Sequence, residues 1–428
     1  MLNRGPRFRY TRLLTVSGLL AVGAVAQGSG GMKTQEALPL TTEEAVALAL
    51  SSNLQLQSLE PRVEMQQSRR SAGGLNNPEL RVRNLSTRSV DDDFDELVVG
   101  IRWRPPVPGE ADEQRQEDQV TLWQRKVEAR RARGWLASRV RRAGADVVLY
   151  RELTRIAEQR MRNEITRIAQ IESMVELGQR SIVYYTNAKT KVSAARNQHA
   201  RYLRALGDEE RRLQRLTGVS GPINMISETL PQVTATEEAL LAIAASHRPE
   251  ARLVEARQQL AIDRHQRERW RGWPRLSYVE ASRHRESGAG DWHEFRFGLE
   301  VPLFDRHGGR TKATQLGIAR KEIEALAVRE GIEDEVHDRF AAYKEAQLAW
   351  QLAQEDGRLY VEDATRVIAQ ATVHGTVPAD EVLELERAIL DTEVLTAKRR
   401  REVAHSIYFL YYALGIDEPK QIATNPAR

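Results

Sequence analysis

The sequence predicts a mainly α-helical protein that also carries a few membrane-spanning β-strands. Three observations lead there: a composition suited to long charged helices, an isolated run of strict two-residue alternation, and an internal duplication. The 428 residues are 29% charged and only 6% aromatic, with a mean hydropathy of -0.53. That balance fits long amphipathic helices better than a compact enzyme. Against it stands EFRFGLEVPLF, 294–304, where Phe295, Phe297, Leu299, Val301 and Leu303 alternate with Arg296, Gly298, Glu300 and Pro302. A period of two is the mark of a strand with one apolar and one polar face.

The N-terminus accounts for the basic excess. Arg4, Arg7, Arg9 and Arg12 precede an apolar run, Leu13 to Ala26, that ends in Ala24-Val25-Ala26. A basic start, a short apolar run and a small-residue cleavage site predict a signal peptide over 1–26, cut before Gln27. Its loss takes 64 basic side chains to 60, equal to the 60 acidic ones. A formally neutral chain argues against nucleic acid, which needs a net basic surface. There is no cysteine, hence no disulfide, no thiolate metal site and no lipid-anchor cysteine. No other segment is apolar enough for a membrane helix, so entry into a membrane requires a closed β-barrel.

The chain is written twice. TTEEAVALALSSN (41–53) returns as ATEEALLAIAASH (235–247), and Leu97-Val98-Val99-Gly100-Ile101-Arg102-Trp103 returns as Phe295 to Val301. Leu177-Gly178 returns as His374-Gly375, and Leu216-Thr217-Gly218 as Ala413-Leu414-Gly415. Matches in order, at a nearly constant offset of roughly 196 residues, predict a tandem repeat. The implied divisions are an N-terminal segment 27–39, a first repeat 40–218, a linker 219–234 at mid-height, a second repeat 235–416 and a tail 417–428.

Each repeat has one plan. A capped helix of about 30 residues opens it, with Thr41 or Thr42 capping and Glu44 in the first turn. Two strands follow, about 78–104 and 274–304. Then comes a very long helix, about 111–177 or 312–374, ending at a glycine, and a return helix of about 36 residues. Apolar side chains such as Leu149, Leu153 and Ile156, or Ile332, Val336 and Phe340, recur at spacings of three and four. They form a narrow seam of coiled-coil type. The long helices predict a column of roughly 100 Å. Four strands per chain cannot close a membrane barrel, which needs an even number of eight or more. The strands therefore demand an oligomer, eight from two chains or twelve from three, unless they pack as a small soluble sheet.

The VGIRW and FGLEVPLFDRHGGR strands, the LGQRSIVYYTNA and HGTVPADEVLEL turns, and the RLTG and YALGI endings resemble the TolC-like outer-membrane efflux factors. The resemblance covers about 40–416. It implies a homotrimer, a shared twelve-strand barrel in the outer membrane, a helical periplasmic tunnel, and docking on a periplasmic adaptor and an inner-membrane pump. It implies a passive exit duct with no catalysis and no cofactor. Leu97, Val99, Ile101 and Trp103, with Phe295, Phe297, Leu299 and Val301, become lipid-facing strand positions. Leu177, Gly178, Ser181, His374, Gly375 and Pro378 match the adaptor-contacting tips. Asp380, Glu381 and Glu384 match the narrowed tunnel aperture, where three copies would stack carboxylate rings; a solvated acidic helix face is the other reading. Pro378 and Val377 depart from the family pattern, the second at the place of the usual latching base. Heavy-metal ions, drugs and peptides are all admissible cargo.

No other chemistry stands out. The nine histidines form no zinc pair, and no phosphate loop or nucleophile motif is framed. His284 and His293 read as polar surface, and Trp270, Trp273 and Trp292 as core or as an interfacial girdle. Arg139, Arg141, Arg142 and Arg399 to Arg401 read as solvated faces or interchain partners for glutamates. The rival functional class is a periplasmic or secreted coiled-coil interaction protein without a pore.

Overall fold

The computed structural model describes residues 37–70, 77–88, 93–286, 290–304, 307–374 and 379–417. The predicted signal segment, Gly375 and Pro378 lie outside them. The first set of elements is β1 (Leu38–Leu40), α1 (Thr42–Ser52), α2 (Leu54–Arg70), β2 (Glu79–Arg88), β3 (Asp93–Trp103), α3 (Glu110–Glu176) and α4 (Ile182–Thr217). The second is β4 (Ile223–Met225), α5 (Glu237–His247), α6 (Pro249–Arg271), β5 (Arg275–Glu286), β6 (Gly290–Glu300), α7 (Gly308–His374) and α8 (Ala379–Leu414). The long helices α3 and α7 have 67 residues each, and the return helices α4 and α8 have 36 each. A 67-residue helix is about 100 Å long.

Two local expectations are corrected. The opening helix is broken in both halves. Asn53 stands at φ -79°, ψ 107°, and its side-chain oxygen accepts from the Leu56 N–H at 3.1 Å, restarting a helix as an N-cap. Arg248 stands at φ -82°, ψ 116° because Pro249 follows it and drives the preceding residue out of the helical region. Second, β6 ends at Glu300, so Val301 lies just beyond the strand that the alternation assigned to it. Within the linker a short strand that the sequence did not signal, β4, runs parallel to β1, Leu38 opposite Ile223 and Leu40 opposite Met225.

Mid-height holds two related cores. Ala45, Val46 and Ala49 of α1 pack with Val140, Val147 and Leu213; Leu240 and Ala244 of α5 pack with Phe340, Ile407 and Leu414. The Thr41 cap is a reciprocal box, with its N–H 2.8 Å from the Glu44 carboxylate and its hydroxyl accepting from the Glu44 N–H. Such a box satisfies two orphan donors of the first turn. Arg141 departs from the expected solvated face. It is 2% exposed, grips the Glu43 carboxylate at 2.9 and 2.7 Å, and lies 5.7 Å from the Tyr411 ring. A buried guanidinium is tolerated only with partners of this kind.

The two hairpins merge into one antiparallel sheet of order β2-β3-β5-β6. The seam is β3 against β5, with Ile101 opposite Ala281 and Trp103 opposite Val279. Gly100 sits at the seam, where a Cβ would come within 2.8 Å of Ser282 Cβ; the strands could not close here around a larger residue. Away from the sheet the helices pack side by side in the order α4-α3-α8-α7, and next to the sheet as α2-α3-α6-α7. Both layers are open: α7 forms one edge throughout, and α2 and α4 form the other.

Candidate functional site

The sheet is apolar outside and polar inside. On its outward face Ile101, Ala281 and Phe295 form one cross-strand row, and Trp103, Val279 and Phe297 the next. Leu299 continues the face opposite Leu276, and Leu97 and Val99 extend it on β3. Phe295 and Phe297 are 80% and 76% exposed, with Leu97, Val99, Ile101, Trp103, Leu299 and Val301 also open. The structure thus brings seven of the eight predicted strand positions to one side, Val301 lying past the end of β6. The apolar stretch ends where Arg283 and Arg285 stand opposite Val99 and Leu97, and an apolar patch of the size below them is not left to water in a soluble monomer.

The inward face is an ionic web. Arg102 donates to the Glu280 carboxylate at 2.8 and 2.5 Å, and Arg81 lies 3.6 Å from the same group. Arg296 donates to Glu294 at 2.6 Å. Glu280 and Ser282 are 6% exposed, and His284 only 2%. His284 is therefore not the polar surface residue the sequence suggested. Its Nδ1 lies 2.5 Å from Glu96 and its Nε2 3.0 Å from Glu294, and Trp292 stacks on the ring at 3.8 Å. Trp292 accordingly faces inward and is not part of an outer girdle; Trp270 and Trp273 are exposed.

Ser282 Oγ lies 3.1 Å from His284 Nε2, so serine, histidine and Glu96 have the connectivity of a hydrolytic triad. Two features deny it that role. Glu294 crowds the nitrogen that would take the serine proton. The neighbouring strand N–H groups are committed to the sheet ladder, leaving no pair aimed at an oxyanion. The cluster clamps three strands together. Sequence reasoning missed it because its members lie on different strands and share no spacing. Among the described residues no group of three or more histidines and acidic side chains could hold a metal ion. No described helix is long and apolar enough to cross a membrane.

At the far end, α3 gives way to α4 in a five-residue turn, 177–181. Gly178 adopts φ +71° with open space around its missing side chain. The backbone conformation, not crowding, therefore demands glycine there. Ser181 precedes α4 at φ -81°, ψ 153° without a side-chain cap bond. Leu177, Ile182 and Val183 are exposed around the turn. In the second half α7 ends at His374, and the backbone resumes in α8 at Ala379, with Asp380 in its first turn.

Glu381 is exposed on α8, and Glu384 one turn on is not a free carboxylate. Arg167 of α3 donates to it at 2.9 Å, Arg387 at 3.2 Å, and Lys191 of α4 lies 3.5 Å away. The hydrogen bond from Arg167 holds Glu384 below the usual carboxylate range, against the effect of burial. Arg387 also grips Glu164, and Asn163 donates to Glu386 at 2.9 Å. Thus α8 is fastened to α3 by partners more than two hundred residues away in the chain, and to α4 by one nearly as distant, which no local pattern could reveal.

No family model matches the sequence, and no curated protein matches it either. The fold, in contrast, is shared with solved structures. CusC, described in connection with transmembrane channel formation, superposes with a TM-score of 0.68 at 16% identity over 88% of this chain and 92% of its own. The open-state MtrE outer membrane channel of Neisseria gonorrhoeae gives 0.66 at 15% identity over 88% and 89%. VceC, an outer membrane protein of Vibrio cholerae, gives 0.68 at 15% identity over 87% and 96%. The fold is that of an outer-membrane channel. More narrowly, it is the TolC-like arrangement that the strand, turn and ending motifs resemble.

Proposed function

We propose that this chain is the outer-membrane exit duct of an efflux assembly, conducting cargo passively and catalysing nothing. The carrying observation is the inverted sheet: apolar residues outside, a buried ionic face inside, and open edges on β2 and β6. A water-filled membrane barrel requires that arrangement, and a soluble coiled-coil protein has no use for it. Three chains would supply twelve strands and a helical tunnel in the periplasm. Leu177, Gly178, Ser181, His374, Gly375 and Pro378 would then meet a periplasmic adaptor, itself joined to an inner-membrane pump. At the aperture, Glu381 is the stronger candidate for a charge ring, because Glu384 is already compensated within its own chain. The likeness to channel folds supports this reading.

The test is conductance of the purified protein in a planar bilayer, with electron microscopy of the same preparation. The expected result is discrete ion-conducting steps from particles with threefold symmetry and a column of roughly 100 Å. Belt-free monomers that conduct nothing would overturn the proposal in favour of a pore-less interaction protein. Glu381→Gln should reduce cation preference; unchanged selectivity would remove this residue from the aperture.

A further inference from the structure

A hollow lies beneath the linker at mid-height. Residues 226–231, which follow β4, close a cavity of about 260 Å³ against α1, α3 and α8. Its walls are apolar, with Val148 and Leu149 of α3, Leu230 of the linker and Tyr408 of α8, and the small Ala397 and Ala404 of α8 leave the room. The linker is pinned on both sides of it. Arg151 donates to the Met225 carbonyl at 2.8 Å, and the Val233 N–H donates to the Tyr343 hydroxyl at 3.2 Å. The hollow is therefore built into the fold between two fixed points.

The cavity opens into a trough along α3, α7 and α8, and Leu230, Ala397 and Arg400 line both. Two donors there are unspent. Arg400 gives an N–H to the Glu228 carbonyl at 2.7 Å. Among the described residues no carboxylate pairs with its guanidinium, whereas Arg399 and Arg401 beside it are held by Glu402 and Asp146. Trp350 lines the trough, and its indole N–H is buried without an acceptor among the described residues. A buried donor left in that condition costs free energy and calls for a partner. The carboxylates nearby are engaged or in water. Arg155 holds Glu152 and Glu393, Arg141 holds Glu43, and Glu228 accepts from the Thr42 N–H at 3.2 Å; Glu355 is exposed.

We infer that this hollow binds a small acidic amphiphile, a free monocarboxylate of medium chain length. Its apolar chain lies under the linker, and its carboxylate meets Arg400 on the side where the trough carries Trp350. The size suits it: an apolar cavity of about 150 Å³ takes up benzene, so this larger one has room for a chain of several carbons. The charge suits it as well. A carboxylate on a guanidinium makes the stronger, charge-assisted class of hydrogen bond. A cationic amphiphile would set like charge beside Arg400, and a neutral one would leave that charge unmatched. Every wall of the cavity belongs to one chain, so occupancy does not depend on a pore. Filling it ties the linker to α3 and α8 and gives the ligand a hold on the middle of the column.

The test is equilibrium dialysis of the full-length protein in lipid nanodiscs against labelled octanoate, octylamine and octanol, with uptake by empty nanodiscs subtracted. Octanoate should bind saturably, about tenfold more tightly than octanol, and octylamine should show no saturable binding. Arg400→Gln should weaken octanoate by about tenfold and leave octanol unchanged, because only the charge-assisted contact is lost. Trp350→Phe, which removes the N–H and keeps an aromatic ring, should weaken octanoate by about threefold. Ala397→Phe, which fills the cavity, should abolish binding of both. Circular dichroism verifies equal helix content. Arg400→Gln decides the matter if the filled variant does not fold, since that side chain is only partly buried. No saturable octanoate binding, octylamine binding as tight as octanoate, or an octanoate affinity untouched by Arg400→Gln overturns the inference. Full binding by a folded Ala397→Phe protein overturns it too. Conductance, which tests the duct, is read separately and is decided by none of these results.

Discussion

Phe340 and Phe297 are the same side chain placed by one polypeptide in opposite surroundings. Phe340 is 4% exposed in the mid-height core of the column, and Phe297 is 76% exposed on the outward face of the sheet. The column buries its apolar side chains and shows charge, as any protein in water does. The sheet does the reverse, burying Glu280, Ser282 and His284 and showing phenylalanine, valine and leucine. Identical chemistry sorted in contrary directions means that the two regions meet different solvents.

The contrast can be broken most strongly at its two phenylalanines. Phe340→Ala should destabilise the column by about 3 to 5 kcal/mol, the range for truncating a buried aromatic, read by denaturant unfolding in detergent. Phe297→Ala should leave that transition where it was. An equal loss from both would mean that the outer face is packed against protein. Phe297→Arg sharpens the point: it should cost about 2 to 4 kcal/mol in a bilayer, seen as impaired insertion into vesicles, with circular dichroism in detergent unaltered. A smaller effect is expected from Glu384→Gln, which releases α8 from Arg167 and Lys191. Because Glu384 is half exposed, roughly 1 kcal/mol is the scale, and hydrogen exchange should quicken in α8 near its tip.

Protonation offers the finest probe, and the column supplies both signs. Burial pushes Asp146 up, but hydrogen bonds from His405 and Arg401 outweigh it and leave its pKa lowered. Its contribution to stability is present above the unfolded value near about 3.9 and is lost as pH falls through the folded value. His337, hydrogen-bonded to Glu237 at the start of α5, is shifted upward. Its contribution is complete below about pH 6.5 and fades as pH rises through the folded value. Thermal melts of Asp146→Asn and His337→Gln across pH 3 to 9 should converge on the parent at opposite ends of the range, with the Asp146 effect the larger because that group is buried.

How much of this was legible follows from the range of each signal. The alternation over 294–300 and the tip glycine at 178 are local, and both are where the sequence placed them. The broken opening helices were local too, written in Asn53 and in Pro249, but the apolar periodicity ran through them and hid the breaks. The ionic face of the sheet was beyond reach. Arg102 and Glu280 are chosen by β-register, and neither residue carries a mark of the other. The clamp on Glu384 is of the same kind, and so is the seat of Trp292, whose aromatic ring suggested a lipid boundary and instead covers a histidine.

The seam between β3 and β5 bears on how the molecule comes into being. The Arg102 to Glu280 contact across it spans 178 residues. During synthesis the first hairpin exists long before the strand that completes it, with a row of unpaired N–H and C=O groups and a greasy flank on offer to any neighbour. Long-range strand pairing is slow, and an open edge of this composition is an aggregation hazard. The half-made molecule is therefore more exposed to wrong pairing than the finished one, and the length of that exposure is set by the order in which its strands are written.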